Sequence, residues 1–151
     1  MRIIFFLFLL FISNYINAEI LKPNPELLPE EVISIQLSAL KNNDTPYLNA
    51  GIEQTWEFAH PSNKIYTGPL SKFINMMNSD NYVVMINHIE HHIIKMKESD
   101  QISFFLVELI DISGQKFGFQ WIVERVNDDG DYKNCWMTVS VSQPILLSKE
   151  I

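Results

Sequence analysis

The amino-acid sequence predicts an α+β fold, with three helices packed on a curved antiparallel sheet of about four strands. Two observations predict it. Between Pro29 and Met77, apolar residues recur at helical spacing in blocks that open near a proline. From Glu90 onward they recur at strand spacing, in segments parted by the turn signals Ser113-Gly114-Gln115 and Asn127-Asp128-Asp129-Gly130-Asp131. A chain of 151 residues suits one domain and can bury a sizeable core.

The first residues stand apart from that core. Met1-Arg2 supplies positive charge, Ile3 to Ile12 is an unbroken apolar run, and Ser13 to Ala18 is a polar stretch ending in a small residue. The run is well short of the ~20 apolar residues that cross a bilayer as a helix. Residues 1–18 are therefore expected to be a signal peptide cut after Ala18, leaving an exported protein, periplasmic or extracellular, with no membrane attachment. A net charge of −7 without a basic cluster argues against nucleic acid as a partner. The single cysteine, Cys135, permits no internal disulfide, so packing alone must hold the fold.

Residues 19–29 form an arm that Pro23, Pro25 and Pro29 keep extended, residues 30–144 the domain, and residues 145–151 a tail. Pro29 suits a first helical position, with Glu30 and Glu31 favourable beside it. Val32, Ile35, Leu37, Ala39 and Leu40 then follow at mostly helical spacing. Thr45 reads as the N-cap of a second helix carrying Leu48, Ile52, Trp56 and Ala59, with Gly51 a weak point and Pro61 its end. Asn43-Asp44-Thr45 matches a glycosylation sequon, but the capping role of Thr45 and the following Pro46 count against its use. Gly68-Pro69 opens a third helix with Leu70, Phe73, Ile74 and Met77 inward. Tyr82 to Ile86 fits a helical turn or a short strand equally well.

The strands are expected at Glu90–Lys97, Ile102–Ile112, Lys116–Val126 and Tyr132–Ser142, the last stopped by Pro144. Ile102–Ile112 is apolar on both faces, the texture of a strand covered on both sides. Phe117, Phe119, Trp121 and Val123 share one face of the next. A twisted sheet of this length curls, and helices across its hollow side leave a cavity open at one end.

Three motifs carry a family resemblance. Phe58-Ala59-His60-Pro61-Ser62-Asn63-Lys64 with Thr67-Gly68-Pro69-Leu70 and Phe73, then Asn87-His88, then Tyr132-Lys133-Asn134-Cys135-Trp136-Met137-Thr138, resemble in order the domain-of-unknown-function 4864 family. The resemblance implies a nuclear-transport-factor-2-like (SnoaL-like) cone and no known activity. Against that family's pattern, His60 replaces Ser, Lys72 replaces Arg, Asn134 replaces Gly, and Val139-Ser140 stands where Asp-Gly is usual.

The candidate ligand-binding residues are His60, Asn63, Lys64, Thr67, His88 and Trp136. His60, at a helix end, can exchange protons with a pocket ligand or, protonated, cap the carbonyls of that helix. Asn63, Lys64 and Thr67 can hold an anion beside the helix start at Gly68-Pro69, or simply close a turn. Trp121 and Trp136 can stack on a flat ligand or fill the core. His88, His91 and His92 lie close in sequence, but neighbours on a strand point to opposite faces, so no metal site is expected and His88 is read as orienting a loop. Glu108 and Glu124 are the acids with apolar neighbours, and no nucleophile–base pair appears. These readings favour a non-catalytic domain, without cofactor, that binds a small apolar or amphipathic molecule or a protein partner. The alternatives are an isomerase or cyclase using His60, and a structural homodimer joined through the outer sheet face, with Phe105 and Val107 supplying the contact.

Overall fold

The computed structural model describes residues 19–149, so the expected signal peptide lies outside the described residues. The architecture is α+β. Its helices are α1 (Pro29–Lys41), α2 (Ala50–Glu57), α3 (Pro61–Thr67) and α4 (Leu70–Met77), followed by a 3-10 turn at Val83–Met85. The strands are β1 (Glu90–Glu98), β2 (Ile102–Ile110), β3 (Gln115–Arg125), β4 (Trp136–Val141) and β5 (Ile145–Lys149). There is thus one helix and one strand more than the sequence predicts.

The extra helix is α3. α2 stops at Glu57, short of the expected end at Pro61, and Ala59 joins a β-bridge to Thr138 instead; Pro61 supplies the first position of a new helix, where a missing N–H costs nothing. The extra strand comes from the supposed tail. All pairings are antiparallel in the order β1-β2-β3-β4, and β5 pairs with β3 on the edge that β4 also uses. β4 covers Trp121–Arg125 and β5 covers Gln115–Gly118, so the two are one long strand interrupted around Pro144. Proline halts the ladder there because it has no N–H to donate, and pairing resumes one residue later.

α1 buries Val32, Ile33, Gln36, Leu37 and Leu40 against the sheet. α2 begins four residues later than Thr45 would place it, with Asn49 at the N-cap position. Its first free N–H groups are taken by Asn43, whose backbone carbonyl accepts from Gly51 (2.8 Å) and whose Oδ1 accepts from Ile52 (3.0 Å). Asn43 is 2% exposed, so in the folded protein the sequon at this residue is closed to a glycan. Gly51 is no weak point but the contact between α1 and α2: a Cβ there would lie 2.2 Å from the Ala39 carbonyl oxygen.

Phe105, Val107, Leu109, Phe119, Trp121 and Val123 line the inner face of the sheet and form the core with α1, α2 and α4. Phe105 and Val107 therefore cannot serve an outer-face contact. The residues that point outward on β2 are Phe104, Leu106, Glu108 and Ile110, and they are only half-buried. β2 is covered on its inner face alone, because the helices lie on that side.

Candidate functional site

Between the inner sheet face, α3 and α4 lies a cavity of about 230 Å³. Its two walls differ. One is apolar, with Leu40, Phe73, Met76, Met77 and Met85. The other is a polar band of Gln36, Thr55, Asn63, Thr67 and Thr138, drawn from α1, α2, α3 and β4.

Thr138 organises the polar wall, and the direction of each bond follows from the chemistry. The Trp121 indole can only donate, and it gives its proton to Thr138 Oγ1 at 3.0 Å. Thr138 must then send its own proton on, to Gln36 Oε1 at 2.6 Å. Gln36 Nε2 donates in turn to the Thr55 carbonyl at 3.0 Å, which can only accept. The Thr138 backbone binds the Phe58–His60 segment: its N–H donates to Phe58 (2.8 Å), and its carbonyl accepts from His60 N–H (2.8 Å) and from Asn63 Nδ2 (3.3 Å). The motif around His60 and the motif ending in Thr138 thus meet in space, as a short parallel bridge that covers the free edge of β4.

Of the six residues singled out by sequence, Asn63 and Thr67 line the cavity; His60, Lys64, His88 and Trp136 do not. His60 caps the opposite kind of helix end from that expected. Its Nδ1 accepts from Ser62 N–H at 3.1 Å, closing the N-terminus of α3, a role that needs the unprotonated nitrogen. Burial also lowers its pKa, which favours the same neutral form. The Lys64 ammonium is engaged by other groups, donating to the Glu57 carbonyl at 3.4 Å. It lies 5.2 Å from the Trp56 ring centroid and 5.5 Å from that of Tyr132, with burial lowering its pKa. Trp136 is a core residue under the Arg125 guanidinium, 4.8 Å from its ring centroid.

His88 is 2% exposed and uses both ring nitrogens. The Met85 carbonyl can only accept, so Nδ1 donates to it at 2.7 Å and Nε2 of the neutral ring accepts from His91 Nδ1 at 2.7 Å. Burial, the main cause, lowers its pKa to about 4. Asn87 closes α1 beside it: its N–H donates to Leu40 (2.9 Å) and its Oδ1 accepts from Asn43 N–H (3.1 Å). The Asn87-His88 motif is thus a joint between α1, the 3-10 turn and β1. His92 points to the outer face and pairs with Glu90 at 3.0 Å. Among the described residues no three His, Cys, Asp or Glu side chains converge.

The two candidate acids are elsewhere too. Glu108 sits on the outer sheet face with Lys116, 2.8 Å away, and Glu124 does not line the cavity. Sequence reasoning missed Gln36, Thr55 and Thr138. A signal existed for Gln36, which falls at helical spacing between Ile33 and Leu40 on the inward stripe of α1. Comparison with protein families, characterised proteins and solved structures finds no match.

Proposed function

We propose that this is an exported, non-catalytic domain with a nuclear-transport-factor-2-like cone that holds a small apolar or amphipathic ligand. The observation that carries the reading is the lining of the cavity: no carboxylate, imidazole, ammonium or guanidinium borders it, and Tyr82 is its one titratable side chain. The Tyr82 hydroxyl already donates to the Val141 carbonyl at 3.3 Å, and burial raises its pKa, so it is a poor proton donor to a substrate. Against the isomerase or cyclase alternative stand the positions of His60 and Glu108, both outside the lining. The three motifs of the family resemblance support the cone by their roles: they join α1, α3 and β4 around the cavity.

The test is a native mass spectrum of the protein recovered from its exporting host. A mass excess that disappears on denaturation is expected; a clean apo mass, with no uptake of apolar probes, would sink the reading. The homodimer remains the second reading, on the strength of the outward row Phe104, Leu106 and Ile122 together with Ile94, which is 40% exposed. The charge-state series of the same spectrum separates monomer from dimer.

A further inference from the structure

We infer that the cavity selects uncharged ligands that carry one hydroxyl or carbonyl oxygen on an apolar body, and rejects carboxylates and amines. The inference rests on the binding role proposed above and narrows it.

Counting protons along the polar wall shows what is on offer. Each hydroxyl has one, and those of the inner wall are committed: Thr138 to Gln36, Thr55 to the Gly51 carbonyl at 2.8 Å, Thr67 to Asn63, and Tyr82 to Val141, while Ser140, also in the lining, is solvent-exposed. The Trp121 indole proton goes to Thr138. The amides of Gln36 and Asn63 are different. Each Nδ2 or Nε2 carries two protons, and one is used, by the Thr55 carbonyl and the Thr138 carbonyl respectively. Neither amide can rotate by half a turn to offer its oxygen instead, because each donates to a backbone carbonyl, which cannot donate back. Two amide N–H groups are therefore the donors left over on the inner wall, with the exposed Ser140 hydroxyl besides, and the Thr and Tyr oxygens keep unused lone pairs.

A ligand carbonyl can accept from an amide N–H, and a hydroxyl can also donate to a lone pair. An ionised group fares worse. It would leave water for a site where no opposite charge lines the wall, and an uncompensated buried charge is costly. The cation that the sequence places nearest, Lys64, is held by Trp56 and Tyr132 instead. The apolar wall suits a flexible body, since Met76, Met77 and Met85 adapt their thioether chains to varied shapes.

The experiment is calorimetric titration of the purified protein near neutral pH with four ligands of equal chain length: octanol, octanone, octanoate and octylamine. Octanol and octanone are expected to bind, with octanoate and octylamine weaker by roughly tenfold or more. Replacing the amide in Asn63→Leu should weaken octanol and octanone roughly three- to tenfold while leaving butylbenzene, which has no oxygen, unchanged. A general loss of fold would instead weaken butylbenzene as well, and Gln36→Leu then provides the same comparison at the second donor. Octanoate or octylamine binding as tightly as octanol overturns the selectivity and leaves the binding role standing. Failure of all four, and of butylbenzene, removes the binding role and this inference with it.

Discussion

The helical layer covers the sheet in two unlike ways. At the α1–α2 joint, backbone meets backbone: Gly51 lies against Ala39, Asn43 closes α2, and Asn87 closes the C-terminal end of α1 through the neighbouring Leu40. At the α3–α4 flank, side chains stop short of one another and enclose the cavity, and two of them, Met76 and Met77, are methionines. The difference teaches how a small domain without disulfides can keep an internal space. One end of the layer is fixed by contacts that tolerate no added atom, so the other end need not close to hold the fold together.

Breaking the joint should have the largest effect. Gly51→Ala sets a methyl group against the Ala39 carbonyl, and a loss of roughly 3 kcal/mol or more is expected despite the better helix propensity of alanine. The shift of the denaturant midpoint measures it. Next comes acid. Because the folded state holds His88 near pKa 4, against 6.5 for the free side chain, the unfolded chain binds more protons between those values. Stability is then fully present above pH 6.5 and falls by about 3 kcal/mol as the pH drops to 4. A series of melts across that range should show the slope, and His88→Gln should flatten it; an unchanged slope would place the titration elsewhere.

The polar wall is the intermediate case. Thr138→Val keeps the shape but leaves the Trp121 N–H and Gln36 Oε1 unpaired, for a loss of about 2 kcal/mol. Thr138→Ser should recover most of it, which separates the hydroxyl from the methyl group in equilibrium unfolding. The smallest effect belongs to the flank, where Met76→Leu should change stability by under about 1 kcal/mol, since the site is half-buried and borders space. A large loss there would mean that the flank is packed as tightly as the joint.

How much of this was legible in the sequence depended on the range of the interaction. The sheet was legible because strand alternation is local: Phe117, Phe119, Trp121 and Val123 share the buried face that their spacing predicts. Proline was legible as punctuation but ambiguous in meaning. Pro61 starts a helix rather than ending the one before it, and Pro144 interrupts an edge that resumes. β2 misled for a different reason. Its two faces are equally apolar, so nothing local says that helices cover only one of them. The site was legible in part. Asn63 and Thr67 fall on one side of α3 and reach the cavity, whereas the partner of Thr138 is Gln36, 102 residues away, and no short-range pattern announces such a bond. His60 carried the right motif and the wrong polarity, because the helix it serves begins after it.

Cys135 has a practical consequence. The sequence has one cysteine, it is 1% exposed beneath Val126, Met137 and Tyr132, and it lies three residues before Thr138. Burial raises its pKa, so a thiol reagent meets neither surface nor thiolate in the closed protein. The rate at which such a reagent couples to the native protein therefore reports how often the base of β4 opens. With no mutation and no attached probe, the chain carries its own clock for the motion that would admit or release a guest from the neighbouring wall.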